Sequence, residues 1–204
     1  MGAVVSISTM LADRRLWRGQ PAPAPAAREP SGHAALDAAL PTGGWPEAAL
    51  TELLLAADGI GELQLLLPTL RRLTSAGRPV VWVDPPYRPY APALASAGVD
   101  LSHLHIVEAG RDAPWAIEQC LRSQACGAVL GWPARTDDKS LRRLQVAAET
   151  GLCLGFLFRP LAAARNPSPA ALRLQLEAGT LRVLKCRGGV APAQALAFAP
   201  AALN

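Results

Sequence analysis

From residue 31 onward, short and continuously apolar runs alternate with stretches whose leucines and alanines recur at helical spacing. The apolar runs at 50–56, 79–84, 104–107, 127–131 and 152–158 are of strand length. They show no polar alternation, which predicts strands buried on both faces. Between them the pattern predicts helices at 34–40, 62–76, 90–97, 112–125 and 136–150. In the second of these, Leu63, Leu66, Leu67, Leu70 and Leu73 share a face, and Gly77 is placed to cap its end. Pro68 falls inside it and predicts a kink or a later start. Asp112 is the expected N-cap of the fourth helix, with Pro114 in its first turn, and Gly151 is the expected stop of the fifth. After Pro160 the texture changes. Residues 163–169 read as a loop, and 172–176 and 181–185 then alternate apolar with polar across a turn at 177–180. That is a hairpin signal, and 195–198 can add one more strand. The expected fold class is α/β: a mainly parallel sheet with helices on both faces and antiparallel strands at its C-terminal edge.

The first thirty residues have a different character. Residues 1–20 read as an amphipathic helical arm in which Leu11, Leu16 and Trp17 can share a face, with Arg14, Arg15 and Arg18 elsewhere. Residues 21–30 are rich in Pro and Ala and read as an extended linker, which leaves 31–204 as the core domain. The first six residues fit an N-myristoylation pattern, but the bias to Ala, Leu, Pro and Arg points to a bacterial coding sequence, where that modification is not expected. Asp58 and Glu62 interrupt the best membrane-spanning candidate, 48–70, and no secretory leader is evident, so a cytoplasmic protein is expected.

Composition narrows the function classes. Half of the 204 residues are apolar and 18% are charged, enough to bury a core and to exclude global disorder. A net charge of +4 permits contact with nucleic acid without requiring it. Cys120, Cys126, Cys153 and Cys186 are widely spaced and sit among apolar residues, so they read as buried or half-buried free thiols. His33, His103 and His105 form no ligand pattern with them, and neither metal nor cofactor is expected.

The strand, glycine loop and helix at 50–76 form the setting of a phosphate-binding loop. A working loop cradles phosphates on backbone amides, neutralises them with Lys and holds Mg²⁺ with a hydroxyl. Here the loop carries Asp58, Gly59, Gly61 and Glu62, with Glu62 where the Lys belongs and Leu63 where the hydroxyl belongs. A carboxylate there repels a triphosphate. The run at 79–84 ends in Asp84-Pro85-Pro86, whose prolines remove any nearby catalytic carboxylate, and that at 127–131 leads into Trp132-Pro133, where the expected metal-positioning Asp is missing. Asp137 and Asp138 read as a helix N-cap and a first-turn charge. The expectation is a degenerate nucleotide site in a protein that is not an enzyme.

Gly32-His33, Leu36-Asp37, Leu40 and Gly43-Gly44-Trp45-Pro46, followed by Leu50-Thr51-Glu52-Leu53, resemble the opening of RecA-type recombinase cores. The segments 76–84, 94–100 and 181–187 are similar to later parts of that core in the same order. Two RecA-derived families without ATP chemistry show a likeness: ImuA, encoded with the polymerase-like ImuB and an error-prone polymerase, and SulA, the SOS-induced division inhibitor that binds FtsZ. The loop 58–68 and the arm 11–19 resemble ImuA, whereas 128–132 and 155–160 are similar to both. SulA is generally shorter and is expected to lack the Gly-His opening and the late basic strand, so the resemblance puts ImuA first and SulA second.

That resemblance implies a RecA-like core acting as a non-catalytic adaptor in SOS-induced, mutagenic translesion DNA synthesis, with ImuB, an error-prone DNA polymerase and RecA as partners. The alternative is a SulA-type inhibitor with FtsZ as partner. Partner docking is expected from the arm, through Leu11, Arg14, Arg15, Leu16, Trp17 and Arg18. In recombinases the loops after the later strands meet DNA. The matching stretches are 132–140 and 159–170, with Arg159 and Arg165 as their candidates and Arg182, Lys185 and Arg187 on the late strand. So few cations imply weak or indirect DNA contact.

Overall fold

A computed structural model describes residues 29–177 and 179–198. The predicted arm and most of the linker, residues 1–28, lie outside the described residues. The helices are α1 (Ala34–Ala39), α2 (Glu62–Ser75), α3 (Ala91–Ser96), α4 (Ala113–Arg122) and α5 (Asp138–Gly151). The strands are β1 (Leu50–Leu55), β2 (Val80–Val83), β3 (Leu104–Val107), β4 (Ala128–Gly131), β5 (Leu154–Pro160), β6 (Leu172–Glu177), β7 (Thr180–Cys186) and β8 (Leu196–Ala197). They form one sheet in the order β3-β2-β4-β5-β1-β6-β7-β8. All pairings from β3 through β6 are parallel, and β6–β7 and β7–β8 are antiparallel. The expected mainly parallel sheet with an antiparallel C-terminal edge is what the chain forms.

β1, β2 and β4 are buried at every position, as the apolar runs of β2 and β4 require, and β1 buries Thr51 and Glu52 along with its leucines. Alternate residues face opposite layers. Leu53 and Leu55, Val80 and Trp82, and Phe156 and Phe158 join Leu65, Leu66 and Leu70 of α2 in one cluster. Leu50, Val81, Val83 and Leu157 join Ile117 and Leu121 of α4 and Leu141 and Leu144 of α5 in the other. Trp45 is buried in the first cluster, edge-on to Phe156 at 5.1 Å, and its indole N–H donates to Thr69 Oγ1 at 2.8 Å. On the opposite face the close crossing of α4 and α5 depends on Gly151, where a Cβ would fall 1.8 Å from the Leu121 carbonyl oxygen.

Several boundaries depart from the sequence expectation, each for a local reason. α2 starts at Glu62 and runs through Pro68 without the later start. Pro68 is half-buried, and Gly32 packs so closely on it that a Cβ there would meet the ring at 2.3 Å. Asp112 precedes α4 but makes no capping hydrogen bond, because a 3₁₀ turn at Gly110–Asp112 already leads the chain into the helix. α4 stops at Arg122 rather than 125. Leu152 caps α5 in the left-handed region at φ 51°, so β5 starts at Leu154 and runs on to Pro160. Residues Leu161–Arg165 form a 3₁₀ turn where a loop was expected. The core begins earlier than its expected boundary: the Glu29 carbonyl accepts from Trp45 N at 2.8 Å, and its carboxylate meets Arg72 and Arg78.

Candidate functional site

The carboxyl ends of β1, β2, β4 and β5 surround a cleft of about 390 Å³, the place where open α/β sheets hold ligands. Asp58, Asp84, Trp132 and Arg159 are among its lining residues. Trp132 stacks on Phe158, with ring centres 4.2 Å apart and planes 2° from parallel, and tilts against Trp82 at 5.8 Å. The walls are thus aromatic and rigid.

The glycine loop is closed by its own chain. Gly59 and Gly61 take φ values of 80° and 109°, which bring the loop back onto the start of α2. There the Glu62 carboxylate, 5% exposed, accepts from Gly59 N at 2.7 Å. The amide a phosphate would use is already bound to an internal anion. Asp58 stays exposed beside it. Asp84 is held in the left-handed region at φ 51°, and its Oδ1 accepts from Ala109 N at 2.7 Å, which fixes the turn after β2 against the end of β3. Among the described residues no group of three or more His, Cys, Asp or Glu side chains is placed to hold a metal ion.

Beneath the cleft lies a group the sequence reading missed. Glu52, in the middle of β1, is fully buried, with Arg159 of β5 and Arg173 of β6 on either side. Arg159 Nη1 donates to Glu52 Oε1, and Arg173 Nε donates to Glu52 Oε2 at 2.7 Å. The remaining donors reach backbone. Arg159 Nη2 meets the Thr136 carbonyl at 3.2 Å, and Arg173 meets the carbonyls of Ala163 at 2.8 Å and Asn166 at 3.0 Å. The two guanidinia therefore tie the segments after β4 and β5 to the sheet. A charged residue inside an otherwise apolar strand was the available signal, since such residues are buried only when paired.

Arg159, expected as a nucleic-acid contact, is 9% exposed, with its guanidinium on Glu52 and the Thr136 carbonyl. The other basic candidates are spread out. Arg165 is exposed at the end of the 3₁₀ turn, Arg182 is exposed on β7, and Arg187 pairs with Glu149 at 3.3 Å. Lys185 donates to the Ser168 carbonyl at 2.7 Å, and partial burial beside Arg173 and Arg187 holds its ammonium below the usual lysine range. Leu11, Arg14, Arg15, Leu16, Trp17 and Arg18 lie outside the described residues. Asp137 caps α5 as expected, accepting from Ser140 N at 2.8 Å, with Asp138 in the first turn. Cys153 and Cys186 are buried and Cys120 and Cys126 half-buried, all as free thiols. Burial pushes the thiols of Cys120, Cys153 and Cys186 up, so they resist forming the reactive thiolate.

Comparison with known proteins assigns the central part of this fold. Residues 48–155, from β1 into β5, match the family model described as cell division inhibitor SulA. The SulA of Photorhabdus laumondii is 32% identical over 117 residues, which cover 55% of this chain and 65% of that protein. The SulA of Edwardsiella piscicida is 38% identical over 115 residues, covering 52% and 67%. The crystal structure of SulA from Pseudomonas aeruginosa, 23% identical, superposes with a TM-score of 0.46 over 56% of this chain and 99% of that one. ImuA, placed first on sequence resemblance, gives way here to the second choice. The matched region takes in more than half of the residues, and the chain belongs to the SulA family.

Proposed function

We propose that this chain is a non-catalytic inhibitor of cell division, made in response to DNA damage, that acts in the cytoplasm by binding FtsZ. The observation that carries the reading is the family match over 48–155, which takes in most of the parallel sheet and both helical layers. The closed glycine loop agrees with a RecA-like core that has lost its nucleotide chemistry: Glu62 occupies the loop amide, no Lys follows the loop, and no Asp ends β4. Such a core offers surfaces rather than chemistry. Among the described residues no helix is long and apolar enough to cross a membrane.

A second reading, an ImuA-type adaptor working with ImuB and an error-prone polymerase, is favoured by the chain outside the match. Residues 29–47 and β6–β8 are integral to this fold, including the Gly32-His33 opening and the basic strand β7. One experiment separates the two: tagged full-length chain offered FtsZ and ImuB from the same organism at equal concentration, with FtsZ assembly followed by light scattering. Retention of FtsZ and suppression of its assembly is the expected result. Retention of ImuB with FtsZ assembly untouched would overturn it in favour of the adaptor.

A further inference from the structure

Three cysteines converge at the end of the strands opposite the cleft. Cys126 lies two residues before β4, Cys153 one residue before β5, and Cys120 in the last turn of α4. Cys153 is buried in the cluster under α4 and α5, and Cys120 and Cys126 pack half-buried against that cluster.

The turn from α4 into β4 brings residue 126 back onto residue 120. Gln124 takes the left-handed region at φ 61°, which reverses the chain. Ser123 N and Ser123 Oγ both donate to the Cys120 carbonyl, at 3.4 and 2.8 Å. The same Oγ accepts from Ala125 N at 3.2 Å and lies 3.6 Å from Cys126 Sγ. One hydroxyl thus ties the Cys120 peptide to the Cys126 thiol. Burial first, and the neighbouring Cys126 second, push the Cys120 thiol up, so the two sulfurs are near enough for one charge to oppose another.

The three thiols are not alike. Cys153 is fully buried, and its S–H donates to the Leu154 carbonyl at 3.6 Å, out of reach of a dissolved reagent. Cys126 has the Ser123 hydroxyl at hand, free to swing its proton from the Cys120 carbonyl to a thiolate. It also has a cation beside it. A Cβ on Gly127, the next residue, would lie 3.3 Å from Arg78 Nε. A hydroxyl donor and a guanidinium next to a partly exposed sulfur favour the nucleophilic thiolate.

We propose that Cys126 and Cys120 form a hydroperoxide-responsive dithiol, a modification site in which Cys126 reacts first and Cys120 resolves it. The Cys126 thiolate attacks one peroxide oxygen. The O–O bond breaks, water leaves, and Cys126 becomes a sulfenic acid. The Cys120 sulfur then attacks the Cys126 sulfur, the S–O bond breaks, and the oxygen departs with the Cys120 proton as a second water. Two thiols are oxidised by two electrons in all, and one hydrogen peroxide is reduced to two waters. The new bond fastens the end of α4 to the entry of β4 and does not touch the cleft. A reversible bond of this kind is the form that disulfides take in a reducing compartment. It stands whether or not the chain binds FtsZ.

The test is peptide mapping of the full chain after hydrogen peroxide, with remaining thiols alkylated and no reductant. Cleavage after Arg and Lys puts the four cysteines on separate peptides, 112–122, 123–135, 144–165 and 186–187. The expected product joins 112–122 to 123–135 in a chain of monomer mass. It should form about 10-fold faster or more in the folded chain than in denaturant, where nothing holds the sulfurs together. Ser123→Ala and Arg78→Gln should each slow the loss of the Cys126 thiol about 5-fold. Equal rates in folded and denatured chain overturn the proposal, and the wild-type chain alone decides that point. So does a bond from 123–135 to 144–165, a disulfide of dimer mass, or oxidation of Cys126 that leaves Cys120 open to alkylation. Unchanged rates in both variants overturn the assignment of Cys126 as the thiol that reacts first.

Discussion

The two faces of the sheet are covered by different means. On the α2 face the buried residues are large and aromatic: Trp45, Trp82, Phe156 and Phe158 with Leu36, Leu65, Leu66, Leu70 and Leu73 of α1 and α2 and further leucines of the strands. Among them Trp45 donates its indole N–H to Thr69 Oγ1. On the α4–α5 face the cluster is rich in Ala, the helices approach closely, and the charged triad of Glu52, Arg159 and Arg173 lies at the same side of the strands. One face is stabilised by area removed from water, the other by small residues plus satisfied charge. The segments after β4 and β5, which border the cleft, are tethered on the charged side. The candidate site is thus held by buried charge on this side and by the stacking of Trp132 on Phe158 on the other.

That contrast can be broken at graded cost. Glu52→Ala should have the largest effect, about 3–5 kcal/mol, because it leaves two buried guanidinia facing one another. Denaturant titration would show it, and Glu52→Leu/Arg159→Met/Arg173→Met should recover much of the loss if burial of unpaired charge is the cause. Gly151→Ala should cost about 3 kcal/mol by pushing α4 from α5, since the atom it meets is backbone and cannot turn aside. On the other face Thr69→Val should cost only about 1–2 kcal/mol, the price of an unpartnered Trp45 N–H in an otherwise undisturbed core. If Thr69→Val costs as much as Glu52→Ala, the faces do not differ as described.

The smallest effect concerns pH. Hydrogen bonds from Ser140 hold the Asp137 carboxyl below its ordinary value of 3.8. Its contribution is therefore complete above pH 3.8 and lost as pH falls through the lower folded value. Asp137→Asn keeps a capping oxygen and should flatten that part of the acid limb of a Tm-against-pH curve without shifting the curve at pH 7.

Strand and helix identities were legible because runs buried on both sides have a signature that survives without tertiary information: β2 and β4 carry no polar side chain, and β1 only Thr51 and Glu52. The boundaries were less so. Asp112 looked like a cap, but it ends the 3₁₀ turn Gly110–Asp112 and its side chain makes no capping hydrogen bond. Pro68 looked like a break, yet its ring packs against Gly32, thirty-six positions away, a contact no local pattern encodes. At the candidate site the sequence showed which chemistry is gone from residues 58–64 but not that Glu62 fills the vacated role. Arg159 illustrates the same limit: its charge suggested a surface, and only the parallel register of β1, β5 and β6 sets it beside Glu52.

The triad also bears on how this chain can diverge. Glu52, Arg159 and Arg173 sit on three strands far apart in sequence, and each is the reason the other two are tolerable inside the sheet. No single substitution at any of the three leaves a neutral intermediate, so the positions should change together or not at all. In a set of related chains they would stand out as one correlated column-triplet, with Glu-Arg-Arg exchanged wholesale for apolar residues and mixed combinations rare.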